Sequence, residues 1–256
     1  MIGSFRSVCA CLLLGLLSAR AAEFNQRLSN LSTRTQVGTG SNIAVVGFVV
    51  GPGAPKTVLI RAIGPALSSF GVAGGLGDPK IDLYDSSTPA KLVASNDNWA
   101  TTSVGGATTF ASVGAFALTT GSRDAALTAT LAPGSYTAQV SGVSNATGIS
   151  LVEVYDVTGP ARLMNLSTRA QVGTGAGVLI SGLAIAPGGG ARKILVRAAG
   201  PTLGGFGVAG VLTDPSIAVL DAAGEQIQAN DDWGTGNSSA LTAAFAKAGA
   251  FPFAAG

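Results

Sequence analysis

The chain has 256 residues, 47% of them hydrophobic and only 11% charged, with 37 glycines and no histidine. High apolar content with low charge excludes a disordered polymer. The near balance of 15 basic and 13 acidic residues gives no electrostatic footprint for nucleic acid or for a basic membrane face.

Residues 1–22 read as a secretory signal peptide. Arg6 gives a positive start, Val8 to Leu17 is an apolar run, and Ala19-Arg20-Ala21 offers small residues where a signal peptidase reads. The run is too short to span a bilayer, so no membrane span is expected after cleavage. No lipobox cysteine follows it. Cleavage removes Cys9, Cys11, Arg6 and Arg20. The exported chain then has no thiol, and 13 basic residues face the 13 acidic ones. The expected localisation is secreted or cell-surface.

Arg27 opens the stretch RLSNLSTRTQVGTG, and Arg162 opens RLMNLSTRAQVGTG. Lys56–Pro79 likewise returns, barely altered, as Arg192–Pro215. The period of about 135 residues is far longer than that of solenoid or propeller repeats, so each copy reads as a domain. The expected division is 23–160 for the first and 161–256 for the second, joined by Thr158-Gly159-Pro160-Ala161 at a fixed angle.

Frequent turn signals between short runs of valine, threonine and isoleucine predict an all-β protein. The expected strands are Asn30–Arg34, Asn42–Val50, Lys56–Ile63, Lys80–Tyr84, Leu92–Ser95, Ala125–Leu131, Ser135–Val143 and Ile149–Asp156. Lys56–Ile63 is apolar on both faces, which suits a strand covered on both sides. Pro133-Gly134 reads as a tight hairpin connection, after which Tyr136, Ala138 and Val140 share one face. Eight strands predict tandem β-sandwiches, jelly-roll or Greek-key like. One short helix is expected in each unit, from Phe110, Val113 and Phe116 in the first and from Leu241, Ala244, Phe245 and Ala248 in the second.

The second unit stops before its last three strands: Gly249-Ala250-Phe251 matches Gly114-Ala115-Phe116, and Gly256 matches Gly121. The readings are a truncated fragment, with further domains following Gly256, or completion by a strand from another chain.

Arg61 and Arg197 share a strand face with leucine. They are expected to form a structural ion pair, with Asp124, Asp97 or Asp78 as partner for Arg61; the other reading is a ligand-binding arginine. Asp85, Asn96 and Asp97 recur as Asp221, Asn230 and Asp231. Clustered oxygens on strand-end loops suit calcium, while the alternative is that they close turns on local backbone. Calcium is the one cofactor the sequence brings into question, and Asp82, replaced by Ala218, is not shared. Trp99 and Trp233 either stack on a sugar or cap the sandwich core. Asn30, Asn145, Asn165 and Asn237 head glycosylation sequons.

Without histidine, and without cysteine after cleavage, Ser-His-Asp and Cys-His catalysis is excluded, and transition-metal sites lose their usual ligands. No signature of a carboxylate pair or Ser-Lys dyad stands in their place, so a non-catalytic protein is expected.

The pattern RLxNLSTRxxVGTG…VLIRAxGPxLxxFGV…DPxIxLYD…NDxW resembles a tandem repeat of large secreted proteins of environmental bacteria. Ile81–Asp85, Ser95–Asn98 and Pro133–Thr137 more loosely resemble the pre-peptidase C-terminal domain, a β-sandwich accessory to secreted hydrolases. The resemblances imply a sandwich with a structural, adhesive or ligand-binding role, sometimes with calcium, and no catalytic residue. A surface polymer or protein is the implied partner.

Overall fold

The computed structural model describes residues 27–101, 106–186, 191–236 and 238–253. The signal-peptide segment, 1–22, lies outside them. The first copy contributes eight strands: β1 (Leu28–Val37), β2 (Ala44–Val50), β3 (Lys56–Ile63), β4 (Pro79–Asp85), β5 (Leu92–Asn96), β6 (Ala125–Leu131), β7 (Gly134–Gly142) and β8 (Gly148–Thr158). They form two antiparallel sheets in the orders β1-β8-β3-β6 and β5-β4-β7-β2. Strands 1, 8, 3 and 6 facing 2, 7, 4 and 5 is the jelly-roll arrangement of two Greek keys, and it settles the open choice of sandwich.

Sequence alternation builds the core. In β3, Val58, Ile60 and Ala62 point between the sheets and meet Val46, Phe48, Leu83, Val140 and Val154. Leu59 and Ile63 point the other way, into a second apolar cluster with Leu67, Phe110, Leu118 and Tyr155. The helix α1 (Gly106–Ser112) buries Phe110 in this outer cluster. That is why β3 is apolar on both faces.

The Pro133-Gly134 connection differs from expectation. It is not a hairpin, because β6 pairs with β3 while β7 pairs with β4 and β2 in the opposite sheet. The turn is an arch between sheets. Ala138 and Val140 still point inward, both fully buried.

After β3 the chain turns at Gly64-Pro65. An ideal Cβ on Gly64 would sit 1.9 Å from the Leu76 carbonyl oxygen, and one on Gly200 would sit 1.9 Å from that of Leu212. Glycine is required at this close approach in both copies.

The second copy does not stand apart at residue 161. Its strands β9 (Leu163–Arg169) and β10 (Ile180–Ile185) extend the first copy's sheets, β9 beside β2 and β10 beside β1. Ala161 and Leu163 belong to the first core. Residues 191–199, the counterpart of β3, carry no strand. In the first copy that strand is held by β6 and β8, and the described residues offer the second copy no equivalents. Val58 and Ile60 are fully buried, whereas their counterparts Ile194 and Val196 are 41% and 47% exposed. The rest of the second copy comprises the single-turn helix α2 (Pro201–Gly204), the hairpin β11 (Ile217–Leu220) and β12 (Gln226–Asn230), and α3 (Ser238–Ala248).

Candidate functional site

The six acidic and amide residues proposed from sequence do not converge. Asp85 ends β4 and Asn96 ends β5, but Asn96 pairs with Ile81 in the antiparallel register. Asp85 stands four positions along the strand from Ile81, so Asp85 and Asn96 lie about 13 Å apart along the strands. Asn230 pairs with Ile217, which separates it from Asp221 in the same way. Asp85, Asp221, Asn230 and Asp231 bond nearby backbone, and Asn96 also reaches β6. Asp85 Oδ1 accepts from the Ser87 hydroxyl at 2.5 Å, the Ser87 N–H at 3.1 Å and the Lys91 N–H at 2.9 Å. The Ser87 hydroxyl, followed by the Lys91 and Ser87 amides, holds the Asp85 carboxyl below the usual range. Asp221 Oδ1 accepts from the N–H groups of Ala223 and Glu225. Asn96 Oδ1 accepts from the Ala126 N–H, and its amide donates to the Asn98 carbonyl. Asn230 donates to the Asp232 carbonyl, Asp231 accepts from the Asp232 N–H, and Asp97 is exposed. Among the described residues no three histidine, cysteine, aspartate or glutamate side chains cluster as a metal site.

Arg61 is fully buried on the outer face of β3. Its partner is Glu153, directly opposite on β8, and not Asp124, Asp97 or Asp78. Nε donates to Glu153 Oε2 at 2.9 Å, and Nη2 lies 2.9 Å from the same oxygen. Nη1 donates to the Phe116 carbonyl at 2.6 Å. The guanidinium lies over the rings of Phe116 and Phe110, 4.3 and 4.9 Å from their centroids, an arrangement favourable to a desolvated cation. Tyr155 donates to Glu153 Oε1 at 2.9 Å, and its burial pushes the phenol pKa far up, with Glu153 adding to the effect.

The rejected aspartates have other work. Asp124, fully buried, accepts from the Gly64 and Ala66 N–H groups and the Ser122 hydroxyl, latching the loop after β3. Asp78 pairs with Arg123 at the surface. A further buried pair, unforeseen from sequence, joins Lys56 Nζ to Asp156 Oδ1 at 2.5 Å. Lys56 also donates to the Gly159 carbonyl at 3.1 Å, which ties the inter-repeat connection to β3.

Arg197 repeats half of the Arg61 cluster. Its guanidinium lies 4.0–4.6 Å from the ring centroids of Phe245, Phe251 and Phe253, and Nη2 donates to the Phe251 carbonyl at 2.8 Å. Burial lowers its pKa. No carboxylate pairs with it among the described residues, so the expected ion pair is formed by Arg61 and not by Arg197. Beside these rings is a cavity of about 420 Å³ lined by Trp233, Phe245, Pro252 and Phe253. Trp99, the first-copy counterpart of Trp233, packs at 5.7 Å on Phe110 and donates to Ser122 and the Thr119 carbonyl. It caps the outer cluster.

The fold and these clusters define an all-β sandwich whose buried ionisable groups hold the strands and loops together. Comparison of the chain with protein-family profiles, curated protein sequences and solved structures gave no match.

Proposed function

We propose that this chain is an exported, non-catalytic repeat protein with a structural or adhesive role at the cell surface or outside the cell. The observation that carries the reading is the junction between copies: both sheets of the first sandwich are extended by strands of the second. Force applied along the chain meets two strand ladders together with the Lys56 anchor of the linker, a construction suited to load and spacing. The signal-peptide pattern of residues 1–22 supports export. The buried polar clusters support a non-catalytic role, since Arg61, Glu153, Lys56, Asp156 and Asp124 are engaged with one another and with backbone.

The test is expression in a bacterial host with residues 1–22 intact, followed by fractionation. Processed protein in the medium or on protease-accessible cell surfaces is expected. Unprocessed protein retained in the cytoplasm would defeat the reading.

A second reading, a ligand-binding accessory module of a secreted hydrolase, is favoured by the aromatic cavity beside Trp233. It expects retention of the chain on insoluble polysaccharide, lost in Trp233→Ala but not in Trp99→Ala.

A further inference from the structure

The junction between the copies has a symmetry that the chain direction hides. Thr33 Oγ1 and Thr168 Oγ1 lie 2.8 Å apart, and these threonines are 135 residues apart in sequence, the repeat period itself. Gln36 and Gln171, another equivalent pair, form an isolated antiparallel bridge. A residue that meets its own counterpart across an antiparallel bridge lies on a two-fold axis, whereas parallel stacking would bring counterparts together by translation.

The strand register obeys the same axis. Ser32 stands opposite Gly182, and its counterpart Ser167 stands opposite Gly47. Arg34 stands opposite Ile180, and its counterpart Arg169 stands opposite Val45. The glycines have a reason in this register. A Cβ on Gly47 would lie 2.6 Å from Ser167 Oγ, and one on Gly182 would lie 2.7 Å from Ser32 Oγ. β1 takes the second copy's version of β2, and β2 takes the second copy's version of β1. Thr33 is 1% exposed and Thr168 is half-buried, while Gln36 and Gln171 are exposed, so the axis passes from packed interior out to the surface.

We infer that the β1/β2 edge of this repeat is a self-recognition surface whose partner is the same edge of another copy, met about a local two-fold axis through Thr33 and Thr168. An isologous contact uses one patch on both partners and closes on itself. The repeats therefore associate in pairs and not as an open stack, and within this chain the second copy is the partner of the first. The two paired edges are also the sites where unpaired sheet edges would otherwise recruit strands at random. Because the contact is isologous, a first copy deprived of its partner in the chain takes the first copy of another molecule, with Thr33 facing Thr33.

The experiment places cysteines on the axis of the full chain carrying Cys9→Ser and Cys11→Ser. Under mild oxidation, Thr33→Cys/Thr168→Cys is expected to close a disulfide within one chain, read as a shift on a non-reducing gel and by mass. The offset pair Thr33→Cys/Ser167→Cys, whose second position points to the other face of β9, is expected to remain reduced. A reduced axial pair, or equal crosslinking of both pairs, would overturn the inference. In the second arm, Ser167→Pro and Gly182→Pro break the second copy's two edge strands, since proline cannot donate to a ladder. Thr33→Cys in that background is expected to give a covalent dimer, at least about tenfold above the level with the second copy intact. Chains that stay uncrosslinked, or that crosslink as readily through Ser32→Cys, would refute self-recognition.

Discussion

A guanidinium with no exposed surface is an expensive thing to bury, and Arg61 meets the cost with one carboxylate, one carbonyl and two aromatic faces. Removing one partner of such a pair strands the other. Arg61→Leu is expected to destabilise the first sandwich by about 3–5 kcal/mol, measured by urea denaturation. Arg197→Leu, lacking a stranded carboxylate, is expected to cost much less. Equal losses would show that the aromatic packing and not the ion pair is the main contribution. Asp85 offers a titration test. Its folded pKa is depressed, so its stabilisation is complete above the ordinary aspartate value of about 3.9 and is lost as pH falls through the lower folded value. The melting-temperature difference between the natural chain and Asp85→Asn is expected to be constant above about pH 5 and to shrink towards pH 2. The position and burial of Arg61 were legible in its apolar strand, but its partner was not. Glu153 lies 92 residues away, inside a run that reads as pure strand, whereas the aspartates considered sit in loops. A lone acid within Leu151–Tyr155 was the available signal, because opposite charges on directly facing strand positions attract.

At the scale of elements, alternation and turn residues located all eight strands of the first copy, and β3 and β6 match their expected limits. β2 begins later than expected because Gly40–Asn42 forms a single 3-10 turn before it. Sheet membership was harder to read. Short connections suggest hairpins, and only the partners of β6 and β7 reveal an arch. The same blindness left calcium open as one of two readings. Asp85 and Asn96 recur together in sequence, yet the antiparallel register of β4 and β5 puts them at opposite ends of the pair. Addition of 10 mM calcium (about tenfold above the weakest usual extracellular sites) is expected to leave the melting temperature unchanged. A rise abolished by Asp97→Ala would show an ion site on that loop. The Gly64 turn makes a firmer claim. Gly64→Ala drives a methyl group into the Leu76 backbone, where no side chain can move aside. It is expected to cost about 1–3 kcal/mol or more, and a neutral result in denaturant would mean that the loop can relax.

For the whole molecule, the repeat boundary in sequence does not divide the sheets, since β9 and β10 pair with strands of the first copy. Every local signal from Arg162 onward says that a new copy begins, because it does begin; the register that carries β9 and β10 onto the first sandwich is a relation between copies. No pattern within one copy encodes it except the glycines opposite serines, and those read as ordinary strand glycines until their partners are known. Where the chain is cut then decides stability. A fragment of residues 23–160 loses β9 and β10 together with Ala161 and Leu163, both 3% exposed in the first core. A fragment of residues 23–186 keeps all of these. Burial of Leu163 alone contributes roughly 1.5–3 kcal/mol, and the strand ladders add to it. The longer fragment is therefore expected to melt higher, by several degrees for a domain of this size at about 2–4 °C per kcal/mol, and to be monomeric by light scattering. The shorter one is expected to associate as its concentration rises, because the β1 and β2 edges are left open. Equal melting temperatures and two monomers would mean that the second copy's strands rest on the first sandwich without stabilising it, and 160 would then be the true end of the folding unit.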